Sequence, residues 1–447
     1  MWDSMTNQFK NRLVENMAVN ADNHLEISGL DATELAKTYG TPLYVYDIAL
    51  VKNKINTFKD AFRSYEKGTQ VAYASKAFSS LALYQLLAKE DVSLDVVSGG
   101  ELHLAIHAGF PSERIHFHGN NKSYQELKEA LSYKVGCIVV DNFREIEMIN
   151  ELTEELDTTV DVLIRVTPGI EAHTHEYITT GQEDSKFGFD LASNQVEEAI
   201  IRLSDLSRLN TIGLHAHIGS QIFEVTGYEA VIKKLMASSK DWANRFDFDL
   251  SVLNVGGGFG IRYTDKDEPR PLKDYANAIM GAVREQAKEN DLPLPEIWIE
   301  PGRSIVGEAG TSLYSIGTNK TIPSVRKYVT VDGGMADNIR PALYQAEYTG
   351  VLANKVEADQ SETVSIAGKA CESGDMLIWD LSLPETTTGD LLAVFSTGAY
   401  GYSMASNYNR LPRPAVVFVE NGKDFLAIRR ETYADFLRLE NSIDNGL

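Results

Sequence analysis

Apolar positions along this chain fall into two alternating rhythms. Short runs rich in β-branched residues occupy 70–76, 94–98, 114–118, 137–141, 160–167, 210–218, 251–256 and 296–300. Between them, at 79–89, 100–109, 123–133, 143–156, 194–206, 228–245 and 272–289, apolar residues recur with the spacing of one helix face. A further helical stretch near 48–65 precedes the first run, with Val51, Ile55, Phe58 and Phe62 on one face. Eight strands alternating with eight helices predict a parallel sheet. That number over that length suggests a closed (β/α)8 barrel of the TIM type, with a doubly wound open sheet as the competing arrangement.

After Arg303 the rhythm changes. Strand-like runs at 327–332, 362–367, 390–396 and 415–420 are separated by Gly- and Asp-containing turns, and helical spacing is weak apart from about 431–440. This predicts a separate antiparallel β domain. The expected organisation is a barrel over 43–304 and a β domain over 305–447, with residues 1–42, too few for a domain, joining the latter.

Composition narrows the function classes. The chain has 447 residues and a formal net charge of -22, and no basic stretch is dense enough to hold a phosphate backbone, which argues against nucleic-acid binding. No apolar run is long enough to span a bilayer, and the N-terminus lacks a basic stretch followed by an apolar core, so a cytoplasmic protein is expected. The two cysteines, Cys137 and Cys371, form neither a disulfide framework nor a metal cluster by spacing, and no metal is expected.

In a barrel of this kind, chemistry gathers at the carboxyl ends of the strands. The run Val71-Ala-Tyr-Ala-Ser-Lys76 ends in a lysine. Taken alone, such a lysine packs its stem and reaches water with its ammonium. Three other strand ends change that reading. One exits through His217, Gly219 and Ser220, one through Gly256-Gly-Gly258, and one through Glu300-Pro-Gly-Arg303. Successive glycines let a backbone approach an anion and present several N–H groups to it. Glu300 follows the apolar Ile297-Trp-Ile299, so it is expected to be partly buried, and a buried carboxylate needs a partner such as a protonated ring nitrogen. A lysine, an anion cradle and a buried carboxylate together match the needs of pyridoxal 5'-phosphate.

The ordered set Tyr73-Ala-Ser-Lys76, His217-Ile-Gly-Ser-Gln221, Gly256-Gly-Gly-Phe-Gly260, Glu300-Pro-Gly-Arg303, Asp332-Gly-Gly334, Arg340-Pro-Ala-Leu-Tyr344, Cys371-Glu-Ser-Gly-Asp375 and Gly398-Ala-Tyr400 resembles the alanine-racemase-like (fold type III) pyridoxal phosphate decarboxylases across nearly the whole chain. The resemblance implies a barrel plus a β domain that includes the N-terminal segment. It implies Lys76 as the Schiff-base lysine and His217 stacked on the cofactor ring. Ser220, Gly257, Gly258 and the 300–303 loop, with Gly302, would hold the phosphate, and Glu300 would pair with the ring nitrogen. Arg303, Arg340 and Tyr344 would bind the substrate's distal carboxylate, with Tyr400 near cofactor and substrate. Cys371 and Glu372 would come from the neighbouring subunit of a homodimer, Cys371 as the proton donor with Lys76 as the alternative.

Glu372 could pair with a distal ammonium, and an arginine grips a distal carboxylate by two parallel hydrogen bonds. The members most resembled decarboxylate meso-2,6-diaminopimelate to L-lysine, the last step of lysine biosynthesis. Relatives acting on D-lysine, D-ornithine, D-arginine, L-ornithine or carboxynorspermidine remain open, as does a catalytically silent cofactor-binding regulator, which retention of Lys76 and Cys371 disfavours. The segment from Glu176 to Gly188 resembles the diaminopimelate type and is expected as a loop over the site.

Overall fold

A computed structural model describes residues 14–170 and 185–443. The chain divides into two compact units, one of residues 53–261 and 268–305, the other of residues 1–52, 262–267 and 306–447.

The first unit holds all eight expected barrel strands, Thr69–Ala74, Ser93–Val96, Ile115–Phe117, Cys137–Val140, Val160–Thr167, Leu209–His215, Val252–Asn254 and Glu296–Ile299. Each pairs in parallel with the next, and Glu296–Ile299 pairs back to Thr69–Ala74, closing the barrel. The open-sheet alternative therefore does not hold. Strands that are apolar on both faces suit this closure, because side chains fill the barrel inside and helices cover it outside. Cys137, Val139, Leu163, Val252 and Trp298 form one interior cluster.

The strand-to-helix turns explain where the helices start. Ser80, Ser98, Ser123 and Asn142 each cap the following helix by accepting from Leu83, Glu101, Glu126 and Glu145 amides respectively. A short polar side chain at each N-cap satisfies an amide that the helix leaves open, and it ends the strand at a defined residue. That fixes which residues emerge at the carboxyl ends of the strands.

In the second unit, the thirteen-residue strand Gly310–Ile322 is central. It pairs antiparallel with Arg326–Val331, Leu391–Val394 and Leu43–Asp47. The sheet is mixed rather than purely antiparallel, because Arg326–Val331 runs parallel to Glu362–Ala367 and Leu43–Asp47 parallel to Ala415–Glu420. Strand Leu43–Asp47, which the expected boundary at residue 43 places in the barrel, is thus a strand of this sheet. Leu25, Ile27 and Leu35 share one apolar core with Leu43, Leu313, Val351 and Val417, so the N-terminal segment buries its apolar side chains with the sheet. Among the described residues no helix is long and apolar enough to cross a membrane.

Candidate active site

The barrel unit gathers its unusual side chains at the carboxyl ends of its strands. Lys76 lies in the single turn Ser75–Ala77 that follows Thr69–Ala74, with its side chain exposed. Its charge acts on Asp95, Glu101, His215 and His217. Burial pushes the carboxyls of Asp95 and Glu101 up to about 7, and the lysine charge works against that rise.

Glu300, just beyond Glu296–Ile299, is 7% exposed. Its Oε1 accepts from Asn254 Nδ2 at 2.7 Å and lies 3.0 Å from His118 Nε2, while Oε2 lies 3.1 Å from His215 Nε2. Burial alone would raise its proton affinity, but the two histidines outweigh burial and hold the carboxyl well below the usual range. The result is an anion in the mouth of the barrel. His118, His215 and Glu300 are the one trio among the described residues with possible metal-ligating atoms within 4.8 Å of one another. Asn254 also aims an amide N–H at the same carboxylate oxygen, which would repel a cation, so the set reads as a hydrogen-bonded carboxylate.

The glycine turn is packed so that no side chain fits. A Cβ on Gly257 would lie 2.0 Å from the Glu300 carbonyl oxygen, and one on Gly258, at φ +95°, would lie 2.4 Å from that of Gly219. Tyr228 donates to the Gly257 carbonyl at 2.7 Å, and the Gly256 amide donates to Asn254 Oδ1 at 2.9 Å. Asn254 therefore ties the glycine turn to Glu300. Arg303 is buried and donates from Nη2 to Ser220 Oγ at 2.8 Å. Gly302 packs against Ala74, the residue two before Lys76. Burial first, then the charges of Lys76 and Arg165, holds the His217 ring well below its usual pKa and so neutral, and its Nδ1 faces the Gly257 amide at 3.4 Å.

These groups fit pyridoxal phosphate on their chemistry. Glycines without room for a Cβ, a hydroxyl and a guanidinium make an anion cradle. A buried carboxylate suits a protonated ring nitrogen, a neutral imidazole can stack, and a lysine completes the set.

The second unit holds the remaining expected residues. The Arg340 guanidinium lies over the rings of Tyr263, at 4.9 Å, and Tyr348, at 5.5 Å, and donates to the Tyr348 hydroxyl. Tyr344, four residues on, is 38% exposed. Cys371 and Glu372 are exposed on a loop whose base is clamped by Asp375. Asp375 accepts from the Met335 amide at 2.6 Å and the Ala370 amide at 2.8 Å. Gly334 and Gly368 leave room for that carboxylate, since a Cβ on either would come within 2.4 Å of it. Tyr400 has φ +59°, a strained backbone that a bulky residue keeps only where its surroundings impose it. Of the loop expected over the site, Glu176 to Gly181 lies outside the described residues; Gly188 donates its amide to Asp141 Oδ1 at 2.9 Å.

Sequence reasoning missed Asp95, His118, His215 and Asn254. A signal was present: His116 and His118, like His215 and His217, are two residues apart at the end of an apolar run, a spacing that puts each pair on one face.

A family model for the pyridoxal-dependent decarboxylase, pyridoxal binding domain, matches residues 48–307. A diaminopimelate decarboxylase of Bacillus subtilis (strain 168) is 58% identical over 428 residues, covering 96% of this chain and 98% of that one. The crystal structure of a diaminopimelate decarboxylase from M. jannaschii in co-complex with L-lysine superposes with a TM-score of 0.91 at 36% identity, covering 97% of this chain and 99% of the other. A Helicobacter pylori diaminopimelate decarboxylase complexed with L-lysine matches with a TM-score of 0.83 at 33% identity, covering 93% and 100%. The barrel, its cofactor-shaped mouth and these likenesses agree: the chain belongs to the pyridoxal-dependent decarboxylase family and groups within it with the diaminopimelate decarboxylases.

Proposed function

We propose that this chain decarboxylates meso-2,6-diaminopimelate to L-lysine and carbon dioxide, the last step of lysine biosynthesis. The observation that carries this reading is end-to-end likeness: 58% identity to a diaminopimelate decarboxylase extends over 96% of the chain, through both units.

Bound at the barrel mouth, pyridoxal phosphate supplies an electron sink for the pair left on the α-carbon when its carboxylate departs. The chain's own residues do the rest. Lys76 Nζ would anchor the cofactor covalently. Glu300 would keep the ring nitrogen protonated, His217 would pack on the ring, and Ser220, Gly257, Gly258, Gly302 and Arg303 would hold the phosphate. Arg303, Arg340 and Tyr344 grip the distal carboxylate; the guanidinium of Arg340, lying against two mutually perpendicular tyrosine rings, is oriented before substrate arrives. Tyr400 borders cofactor and substrate.

Cys371 Sγ returns a proton to the carbon that lost carbon dioxide, with Lys76 as the alternative donor, and Glu372 pairs with the distal ammonium. Both Cys371 and Glu372 act in the partner's site of a homodimer. Their exposure on a braced loop supports donation to a neighbour. The reading includes the cytoplasm as location, since two unbridged cysteines suit a reducing compartment.

Two variants test the core of it. Lys76→Ala should lose the visible band of a lysine-linked cofactor and all turnover; a normal band in that variant overturns the site. Mixing Lys76→Ala with Cys371→Ala subunits should restore part of the activity, because one of the two sites in a mixed dimer is intact. No recovery would sink the shared site.

A further inference from the structure

Asp95, in the strand Ser93–Val96, is 4% exposed, and its Oδ1 has no hydrogen-bond partner. That oxygen lies 3.8 Å from His118 Nε2, the same nitrogen that lies 3.0 Å from Glu300 Oε1. One imidazole nitrogen thus faces two buried carboxylates. Of the two, Glu300 is the nearer.

The charges around this trio are few. His215 contacts the other oxygen of Glu300. Arg165, on Val160–Thr167, acts on Glu300 and Asp95 from the side, and Lys76 and Glu101 act on Asp95. His116, two residues before His118, stacks on Trp298 at 4.4 Å, and burial keeps it neutral, pushed down to about 3.

We propose that His118, whose Nε2 faces Glu300 Oε1 at 3.0 Å and the unpartnered Asp95 Oδ1 at 3.8 Å, is a positioning residue that keeps Glu300 ionised and aimed at the ring nitrogen of the cofactor. This rests on the pyridoxal reading above and goes one residue beyond it. In this reading Asp95 acts through His118 and Glu300. That burial pushes Asp95 up to about 7 fits a carboxylate whose charge depends on a neighbouring cation.

The test uses purified holoenzyme and the variants Asp95→Asn and His118→Gln. Asn has the shape of Asp without its charge, and Gln can still donate to Glu300 but cannot carry a proton's charge. Three quantities are read: the dissociation constant of pyridoxal phosphate, the pH profile of the cofactor's visible absorbance, and kcat against KM with meso-diaminopimelate. Both variants should bind cofactor about tenfold more weakly, the equivalent of one pKa unit on the ring nitrogen. Both should move the absorbance profile and lower kcat with little change in KM. A purely structural role would not shift the absorbance profile of correctly folded protein. Wild-type affinity together with a superimposable profile in Asp95→Asn, which is isosteric and carries the test if His118→Gln does not fold, overturns the proposal. A wild-type enzyme with no cofactor band would sink the pyridoxal reading as well, so the two failures are distinguishable.

Discussion

Asn409 Oδ1 accepts a hydrogen bond from the backbone amide of Cys371 at 2.6 Å. Asn409 and its neighbour Arg410 both adopt left-handed backbone, at φ +53° and +56°, a conformation that costs energy for residues other than glycine. The strained pair holds the amide of the residue proposed as proton donor. Asn409→Gly keeps the backbone comfortable and deletes only the bond. It should lower kcat about three- to tenfold, the worth of one hydrogen bond. It should also change the alkylation rate of the Cys371 thiol while leaving the melting temperature near wild type. Unchanged kcat and alkylation rate would show that the bond does not position Cys371.

The glycine turn can be tested through its backbone. A Cβ at Gly257 would sit 2.0 Å from the Glu300 carbonyl oxygen, so the turn must move to accept one. At an overpacking cost of about 1–3 kcal/mol, Gly257→Ala should weaken cofactor binding roughly 10- to 100-fold. Fluorescence titration with pyridoxal phosphate measures this. Wild-type affinity would mean that the turn is not the phosphate cradle.

Lys122 and Glu145 form an ion pair at 2.9 Å, with 2% and 1% of their side chains exposed. Lys122 also donates to the carbonyls of Gly119 and Val139, and Glu145 accepts the Asp141 amide, so the pair ties together the loops after two barrel strands. Lys122→Met leaves a buried carboxylate without its cation and should cost about 3–5 kcal/mol of stability. Adding Glu145→Gln should return part of that loss. Urea unfolding of the two single variants and the double variant gives the coupling; additive losses would contradict it.

Asp337 carries a pH dependence of known sign. Burial pushes its carboxyl up to about 7 from 3.8, against the hydrogen bonds it accepts from Tyr314 and the Gly334 amide. A raised carboxyl favours the folded state when protonated. Its contribution is complete below the ordinary carboxylate range and is lost as pH rises through about 7. The melting temperature should therefore fall between about pH 4 and pH 7, and Asp337→Asn, which stays neutral, should flatten that fall. An equal fall in both proteins would show that Asp337 is not its source.

The alternation of apolar runs made the barrel legible, because strands buried on both faces and capped amphipathic helices each leave a periodic trace. Lys76, the Gly256–Gly258 turn and Arg303 were legible because glycines and cations at strand ends are conspicuous. Glu300 was visible, but its partners were not: His118 and His215 lie 182 and 85 residues away, and only barrel closure brings them within 3.1 Å. Strand Gly310–Ile322 was missed because its second half, Gly317-Thr-Asn-Lys-Thr321, is polar and exposed and reads as a loop. Strand Leu43–Asp47 fell on the wrong side of the expected boundary since its partners, Gly310–Ile322 and Ala415–Glu420, lie hundreds of residues later.

The most direct test of the central claim is carbon dioxide release, measured as kcat/KM, from meso-diaminopimelate beside D-lysine, D-ornithine, D-arginine, L-ornithine and carboxynorspermidine, with pyridoxal phosphate present. Meso-diaminopimelate should be the best substrate, with L-lysine formed in step with the gas. A higher kcat/KM for any of the other amines would contradict the assignment, and release from none would contradict catalysis itself.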